Sequence, residues 1–218
     1  MVTLVKEKTR EHIYWGKMAR RYDAATNYVI GQNAQREVGE WLSGQFEATD
    51  NVLEIGCGPG SFSLIIADRV RYLTATDGSP EMLELARRRL RTLDNVAILM
   101  EDCYHTSFAD GSFDSVFLSN VIHIIRHPID VVRECRRVLK DDGYIVMADV
   151  TSSGMKVRSK ITMGVRYLIK FGLPPKEYRV MGPDDISGLV EQGGFLIEEL
   201  KIIEKETNIV CLKGRKRR

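Results

Sequence analysis

The chain has 218 residues, of which 44% are hydrophobic and 28% charged, with a formal net charge of +2. That length buries a core without staples, and the composition is that of an ordinary globular protein. Cys57, Cys103, Cys135 and Cys211 are scattered, with no CxxC pair and no histidines at ligand spacing. This excludes a disulfide framework and a zinc site and predicts reduced thiols that pack as small core residues, with no metal.

The first ten residues alternate apolar and charged side chains without the hydrophobic core of a signal peptide, and no apolar run approaches bilayer length. Cytoplasmic residence is the expectation. Residues 11–28 (EHIYWGKMARRYDAATNY) are aromatic-rich and predict helices over the carboxyl edge of a sheet, where Tyr14, Trp15, Tyr22 and Tyr28 either line a substrate pocket or staple the helices to the core. Residues 33–46 place Val38, Trp41, Leu42 and Phe46 at the spacing of an amphipathic helix.

Val52-Leu-Glu-Ile-Gly-Cys-Gly-Pro-Gly60 predicts a buried strand that turns abruptly into a helix over residues 61–71. Gly56, Gly58 and Gly60 suit the turn because glycine tolerates positive φ and lets a ligand approach the backbone. The pattern is GxGxG rather than the dinucleotide GxGxxG, and Glu54 puts a carboxylate where a pyrophosphate would be repelled. A ligand bearing an ammonium and a sulfonium and no phosphate, S-adenosylmethionine, has the opposite preference. Asp77, at the end of the next apolar run, is the acid expected to accept hydrogen bonds from ribose hydroxyls.

Ser79 and Pro80 then start a helix to about residue 93, and residues 95–100 form a third strand ending at Glu101-Asp102. Asp110 to Asp114 is a turn into strand 115–118, which leaves Ser119 and Asn120 at the edge where doubly wound sheets bind ligands. Pro128 opens a further helix ended by Asp141-Asp142-Gly143, and 144–150 is a strand. Residues 151–181 break the alternation and predict a helix near 160–171 followed by a Pro174-Pro175 break. A helix from Pro183, stopped by Gly193-Gly194, precedes two antiparallel closing strands, 195–204 and 208–212.

The segments VLEIGCGPG (52–60), TDGSPEMLELAR (76–87), ED (101–102), DGSFDSVFLSNVIHII (110–125) and RVLKDDGYIVMADV (137–150) resemble, in the same order, the class I S-adenosylmethionine-dependent methyltransferases. Within them the likeness is to the group that includes the ubiquinone and menaquinone biosynthesis methyltransferases. The resemblance implies an α/β, Rossmann-like, doubly wound and mostly parallel seven-stranded sheet with an antiparallel last strand and helical lid segments. It implies one domain over 1–218: a helical cap (1–46), a cofactor-binding core (47–150), a lid insertion (151–182), and a closing helix and strands with a basic tail (183–218). The cofactor is S-adenosylmethionine and the product S-adenosylhomocysteine.

Cofactor contacts are expected from Glu54, Gly56, Cys57, Gly58, Gly60, Asp77, Gly78, Met82, Asp102, Cys103, Ser119 and Asn120. By the resemblance, Met82 packs on the adenine, Asp102 takes its amino group, and the backbone N–H of Cys103 reaches the ring. Tyr22-Asp23 matches a recurring Tyr-Asp of the cap, and Tyr14, Tyr22 and Tyr28 are candidate substrate contacts. Enzymes that methylate exocyclic or amide nitrogens often carry two prolines after the fourth strand. Ser119-Asn-Val-Ile-His123 lacks them, which favours a carbon or oxygen acceptor. The candidate general base is His123, with His105 and His127 as rivals.

Residues 155–180 hold seven Lys or Arg and one Glu, and residues 213–218 five further cations. Two basic segments suggest an anionic substrate, a transient membrane-surface contact or a polynucleotide, against the plainer reading of a solvated face and a solubilising tail. The leading expectation is methyl transfer to a small organic, quinone-like or amphiphilic acceptor. An RNA or protein methyltransferase is the alternative, although no RNA-binding appendage is recognisable and nucleic acid is not expected as a partner. A non-catalytic cofactor-binding protein of the same fold is the third reading.

Overall fold

The computed structural model describes residues 10–217, and side chains from residue 14 to 217. The side chain of His12, read from sequence as structural or solvent-facing, the reading of the first nine residues as no signal peptide, and Arg218 of the basic tail lie outside the described residues.

Strands β1 (Asn51–Ile55), β2 (Tyr72–Asp77), β3 (Val96–Met100), β4 (Phe113–Ser119), β5 (Leu139–Thr151), β6 (Phe195–Glu204) and β7 (Asn208–Lys216) form one sheet in the order β3-β2-β1-β4-β5-β7-β6. Neighbours pair in parallel from β3 across to β5, and β7 runs antiparallel to both β5 and β6. This is the doubly wound sheet expected from the sequence. The chain leaves β1 toward β2 and β3, then returns to β4 on the other side. The carboxyl ends of β1 and β4 therefore diverge at the topological switch point, where such sheets open a crevice.

Both faces of the centre are covered, so the central strands read as continuous apolar runs. Alternate residues go to opposite layers. Val52 and Phe117 pack with Val38 and Leu42 of α3 (Gln32–Leu42) and with Leu83 and Ala86 of α5 (Pro80–Leu90). Leu53 and Val116 pack with Val132 and Cys135 of α6 (Pro128–Val138) and with Ile186 and Val190 of α8 (Pro183–Gln192). Helices α1 (Arg10–Met18) and α2 (Tyr22–Ile30) precede α3, and α7 (Val157–Phe171) packs against α2.

Three expectations need correction. The helix expected over 61–71 is only α4 (Ser63–Ala67), because the Asn95 side-chain amide takes the carbonyls of Ala67 and Val70 and closes the turn there. So short a helix contributes little dipole, and the cradle for a ligand is the glycine backbone itself. Residues 141–143 do not end α6, which stops at Val138. They form an irregular start to β5 with Asp142 at φ 64°. Finally, β7 continues past residue 212. Lys213 donates to the Gln45 carbonyl, Arg215 pairs with Glu198, and Lys216 donates to the Leu139 carbonyl. The basic tail is largely a sheet strand.

Candidate active site

The turn after β1 is shaped by three positive-φ glycines, and Gly56 is the one that space also demands: a Cβ there would stand 2.4 Å from Val121 Cγ2. At Gly58 the nearest atom to such a Cβ is Tyr22 Cε1 at 3.9 Å, so only its φ of +53° requires glycine. Asp77 braces this turn from β2. Its carboxylate accepts from the Gly58 N–H at 2.9 Å and from the Ser79 N–H at 2.8 Å. Ser79 in turn caps α5 by accepting from the Met82 N–H.

Glu54 is 2% exposed, and its Oε2 accepts from Ser63 Oγ at 2.5 Å. Burial pushes its carboxyl up to about 7; the Ser63 bond opposes the rise and the Asp77 charge adds to it. Burial raises the Cys57 thiol well above its ordinary value, so it is a neutral packing group. Asp102 turns one oxygen back to the Tyr104 N–H at 3.0 Å. Asn120 ends β4 in the left-handed region (φ 55°) and accepts from the Val150 N–H through its side chain, which ties β4 to β5. Backbone strain of this kind concentrates at sites.

These residues surround a cavity of about 180 Å³ at the switch point, walled by Gly56, Gly58, Asp77, Gly78, Met82, Asp102, Cys103, Ser119 and Asn120. Acidic side chains line it and none of its lining residues is a lysine, arginine or histidine. That donor set fits a cationic, phosphate-free nucleoside and would repel a pyrophosphate. Glu54 and Cys57 do not line this cavity; with Gly56, Gly58 and Tyr22 they border a smaller adjoining recess. Gly60 lines neither; a Cβ there would lie 3.2 Å from Leu90 Cδ1, so it serves close packing on α5.

A second, apolar chamber of about 230 Å³ shares Trp15, Tyr22 and Asn120 with the first. Its other walls are aromatic or aliphatic: Tyr167 and Phe171 from α7, Tyr178 beyond it, and Ile30 from α2. Tyr22 stands edge-on to Trp15 and Phe171. Burial, followed by the Asp77 charge, pushes its phenol up to about 12. His123 reaches the chamber from the loop after β4. It is 7% exposed, and its Nδ1 is hydrogen-bonded to Asp149 Oδ1 of β5, itself 3% exposed. The second oxygen of Asp149 accepts from the Ile122 N–H.

Of the three candidate substrate tyrosines, only Tyr22 lines this chamber. Tyr14 donates to the Phe171 carbonyl at 2.8 Å and faces a different groove. Tyr28 is half-exposed beneath Arg166 and Lys170. His105 and His127 are exposed along that outer groove, away from both cavities. Sequence reasoning missed Asp149, whose one signal is a carboxylate inside an otherwise apolar strand. It also missed the α7 aromatics, which carry no local mark of a site. Asp23 joins Arg89, which also donates to Ser61, so the cap is tied to α5 and the glycine turn.

A doubly wound sheet with an acid-lined cavity against its glycine turn defines a nucleoside-binding α/β protein of the Rossmann-like class. Residues 53–147 match the family model described as a methyltransferase domain. The chain is 31% identical over 157 residues to a malonyl-[acyl-carrier protein] O-methyltransferase of Marinomonas sp., covering 70% of this chain and 58% of that protein, so it spans less than two thirds of that relative. It is 27% identical over 165 residues to the ubiquinone/menaquinone biosynthesis C-methyltransferase UbiE of Citrifermentans bemidjiense, covering 72% of this chain and 70% of that one. The fold matches a SAM-dependent methyltransferase from Aquifex aeolicus with a TM-score of 0.66 at 19% identity, over 92% of this chain and 97% of that one. Residues 53–147 thus carry a methyltransferase domain, and the chain has the fold of the S-adenosylmethionine-dependent methyltransferases.

Proposed function

We propose that this chain transfers a methyl group from S-adenosylmethionine, held in the acid-lined cavity, to a carbon or oxygen atom of a small, flat or amphiphilic acceptor in the aromatic chamber. The observation that carries this reading is that the two cavities share a wall, Trp15, Tyr22 and Asn120, while one is acidic and the other apolar. The activities for which the two relatives are named, one an O-methyltransferase and one a C-methyltransferase, support the same acceptor atoms.

S-adenosylmethionine, when bound, supplies a methyl group already activated on a sulfonium. The chain's task is then alignment and exclusion of water. Trp15, Tyr22 and Phe171 form the dry wall, and the Tyr22 phenol stays protonated and neutral at the boundary. His123 is the group placed to remove an acceptor proton. Its Nδ1 is occupied by Asp149, which orients the ring, assigns the proton to Nδ1, leaves Nε2 as the base and offsets the charge the ring gains.

Glu54 makes donor binding pH-dependent. Its carboxyl titrates near 7 in the folded chain against an ordinary value of 4.5, so the folded state binds its proton more tightly. The stability this contributes is full below the ordinary value and is lost as pH rises to the folded value. A cationic donor prefers the ionised carboxylate, so its affinity is expected to rise by up to about tenfold per pH unit between about pH 5 and 7 and then level off. Calorimetry at pH 6 in two buffers of different ionisation enthalpy should register proton release, and Glu54→Gln should abolish both effects. A flat profile in the unsubstituted protein would remove Glu54 from the donor site.

The function itself is tested by incubating the protein with methyl-labelled donor and fractionated cell extract. Label is expected in a small aromatic or enolisable acceptor. Label found only in RNA or protein, or none despite normal adenosylhomocysteine binding, would overturn the proposal.

A further inference from the structure

Helix α7 is apolar on two sides. Met163, Tyr167 and Phe171 face inward and wall the chamber. Away from them Val157, Ile161, Val165 and Ile169 stand 73%, 61%, 49% and 64% exposed, and Leu173 just past the helix end is 82% exposed; Leu168, 50% exposed, stands at the edge and also borders the chamber. Their spacing of three and four residues makes one continuous outer stripe. Contiguous exposed apolar surface of this kind marks a place where something binds.

What binds is indicated by charge. Arg158, Lys160, Arg166 and Lys170 lie on the same helix, and residues 155–180 hold seven Lys or Arg against a single Glu. Arg166 and Lys170 are held over the Tyr28 ring at 5.5 and 4.7 Å, so two of these cations are anchored along one border. A second copy of the chain on this face would set like charges against each other, whereas an anionic bilayer surface accepts the apolar stripe and the cations together. An apolar stripe on a helix rich in cations is the pattern of a helix that lies in the interface, and among the described residues no helix is long and apolar enough to cross a membrane.

We propose that the outer face of α7 docks this protein on an anionic lipid surface, which sets the wall of the aromatic chamber against the membrane that holds amphiphilic molecules. Docking rests on the outer face of the helix and methyl transfer on the inner one. Vesicle binding, read without donor or acceptor, therefore succeeds or fails independently of the proposed function.

The test is sedimentation of the full chain with vesicles of phosphatidylcholine, alone or mixed with phosphatidylglycerol. Binding is expected to the mixed vesicles and to weaken with added salt. A variant carrying Ile161→Ser and Ile169→Ser should partition at least about tenfold less, and Arg158→Glu with Lys160→Glu about fivefold less per cation. These side chains are exposed, so melting temperature and adenosylhomocysteine affinity should stay unchanged. Equal partitioning of the Ile161→Ser, Ile169→Ser variant, binding indifferent to phosphatidylglycerol, or self-association through the stripe in place of vesicle binding would overturn the proposal.

Discussion

Replacing Asp77 with alanine is expected to lower adenosylhomocysteine affinity by at least about a hundredfold, since hydrogen bonds to a charged acceptor contribute about 1.5–3 kcal/mol each and two ribose hydroxyls would lose theirs. The same carboxylate receives the N–H groups of Gly58 and Ser79, so the substitution also removes the brace of the glycine turn. Two orphaned backbone donors add a loss of stability of about 1–3 kcal/mol each where water does not replace the carboxylate. Asp77→Asn retains one acceptor oxygen but turns an amide N–H toward one of those donors, and should fall between the two. Calorimetry at constant pH with a parallel melting curve reads both effects. Donor affinity unchanged in a folded Asp77→Ala protein would falsify the assignment of this cavity.

His123→Asn is expected to slow turnover by about 10²–10⁴, the range for a lost general base, with adenosylhomocysteine affinity kept within about twofold. Asparagine is the informative replacement because its amide donates to Asp149, whereas alanine leaves a carboxylate that is 3% exposed without the partner it has now. Asp149→Asn is expected to act through His123, lowering kcat more than it raises KM, because an amide no longer favours the Nε2-unprotonated tautomer. Equal turnover of His123→Asn and the unsubstituted protein would leave the acceptor proton to water.

The cavity proposed to hold the donor was legible because its parts lie along one strand–turn–helix–strand unit. Gly58 and Asp77 are 19 residues apart in sequence and 2.9 Å apart between their bonded atoms. The parallel register of β1 on β2 carries Ile55 opposite Thr76, so adjacent strand ends deliver glycine turn and acid together. Local pattern and spacing therefore sufficed for the fold, the turn and Asp77. The helix after the turn read too long because apolar periodicity continues through Ile66 to Val70, while the group that stops it, Asn95, comes from a distant loop.

The aromatic chamber was not legible, because its walls meet only when distant segments fold together. Trp15 and Tyr22 come from the first 30 residues, and Tyr167, Phe171 and Tyr178 from more than 140 residues later. An aromatic on an amphipathic helix carries the same local signal whether it packs a core or lines a chamber. His123 was singled out by residue type and by its place on the loop after the fourth strand, while its carboxylate partner is supplied by the β4–β5 register that sets Ser119 opposite Ala148. The reach of the C-terminal cations was likewise a tertiary matter, since Lys213 to Lys216 read as a tail until β7 pairs with β5 and β6. The sequence by itself determined the sheet, the glycine turn and the acidic character of the nucleoside cavity, all of which depend on neighbours within a few tens of residues. Only the tertiary structure decided which histidine has a buried carboxylate, which tyrosine meets the chamber and which face of α7 is left to the outside, because each depends on contacts the chain makes across its full length.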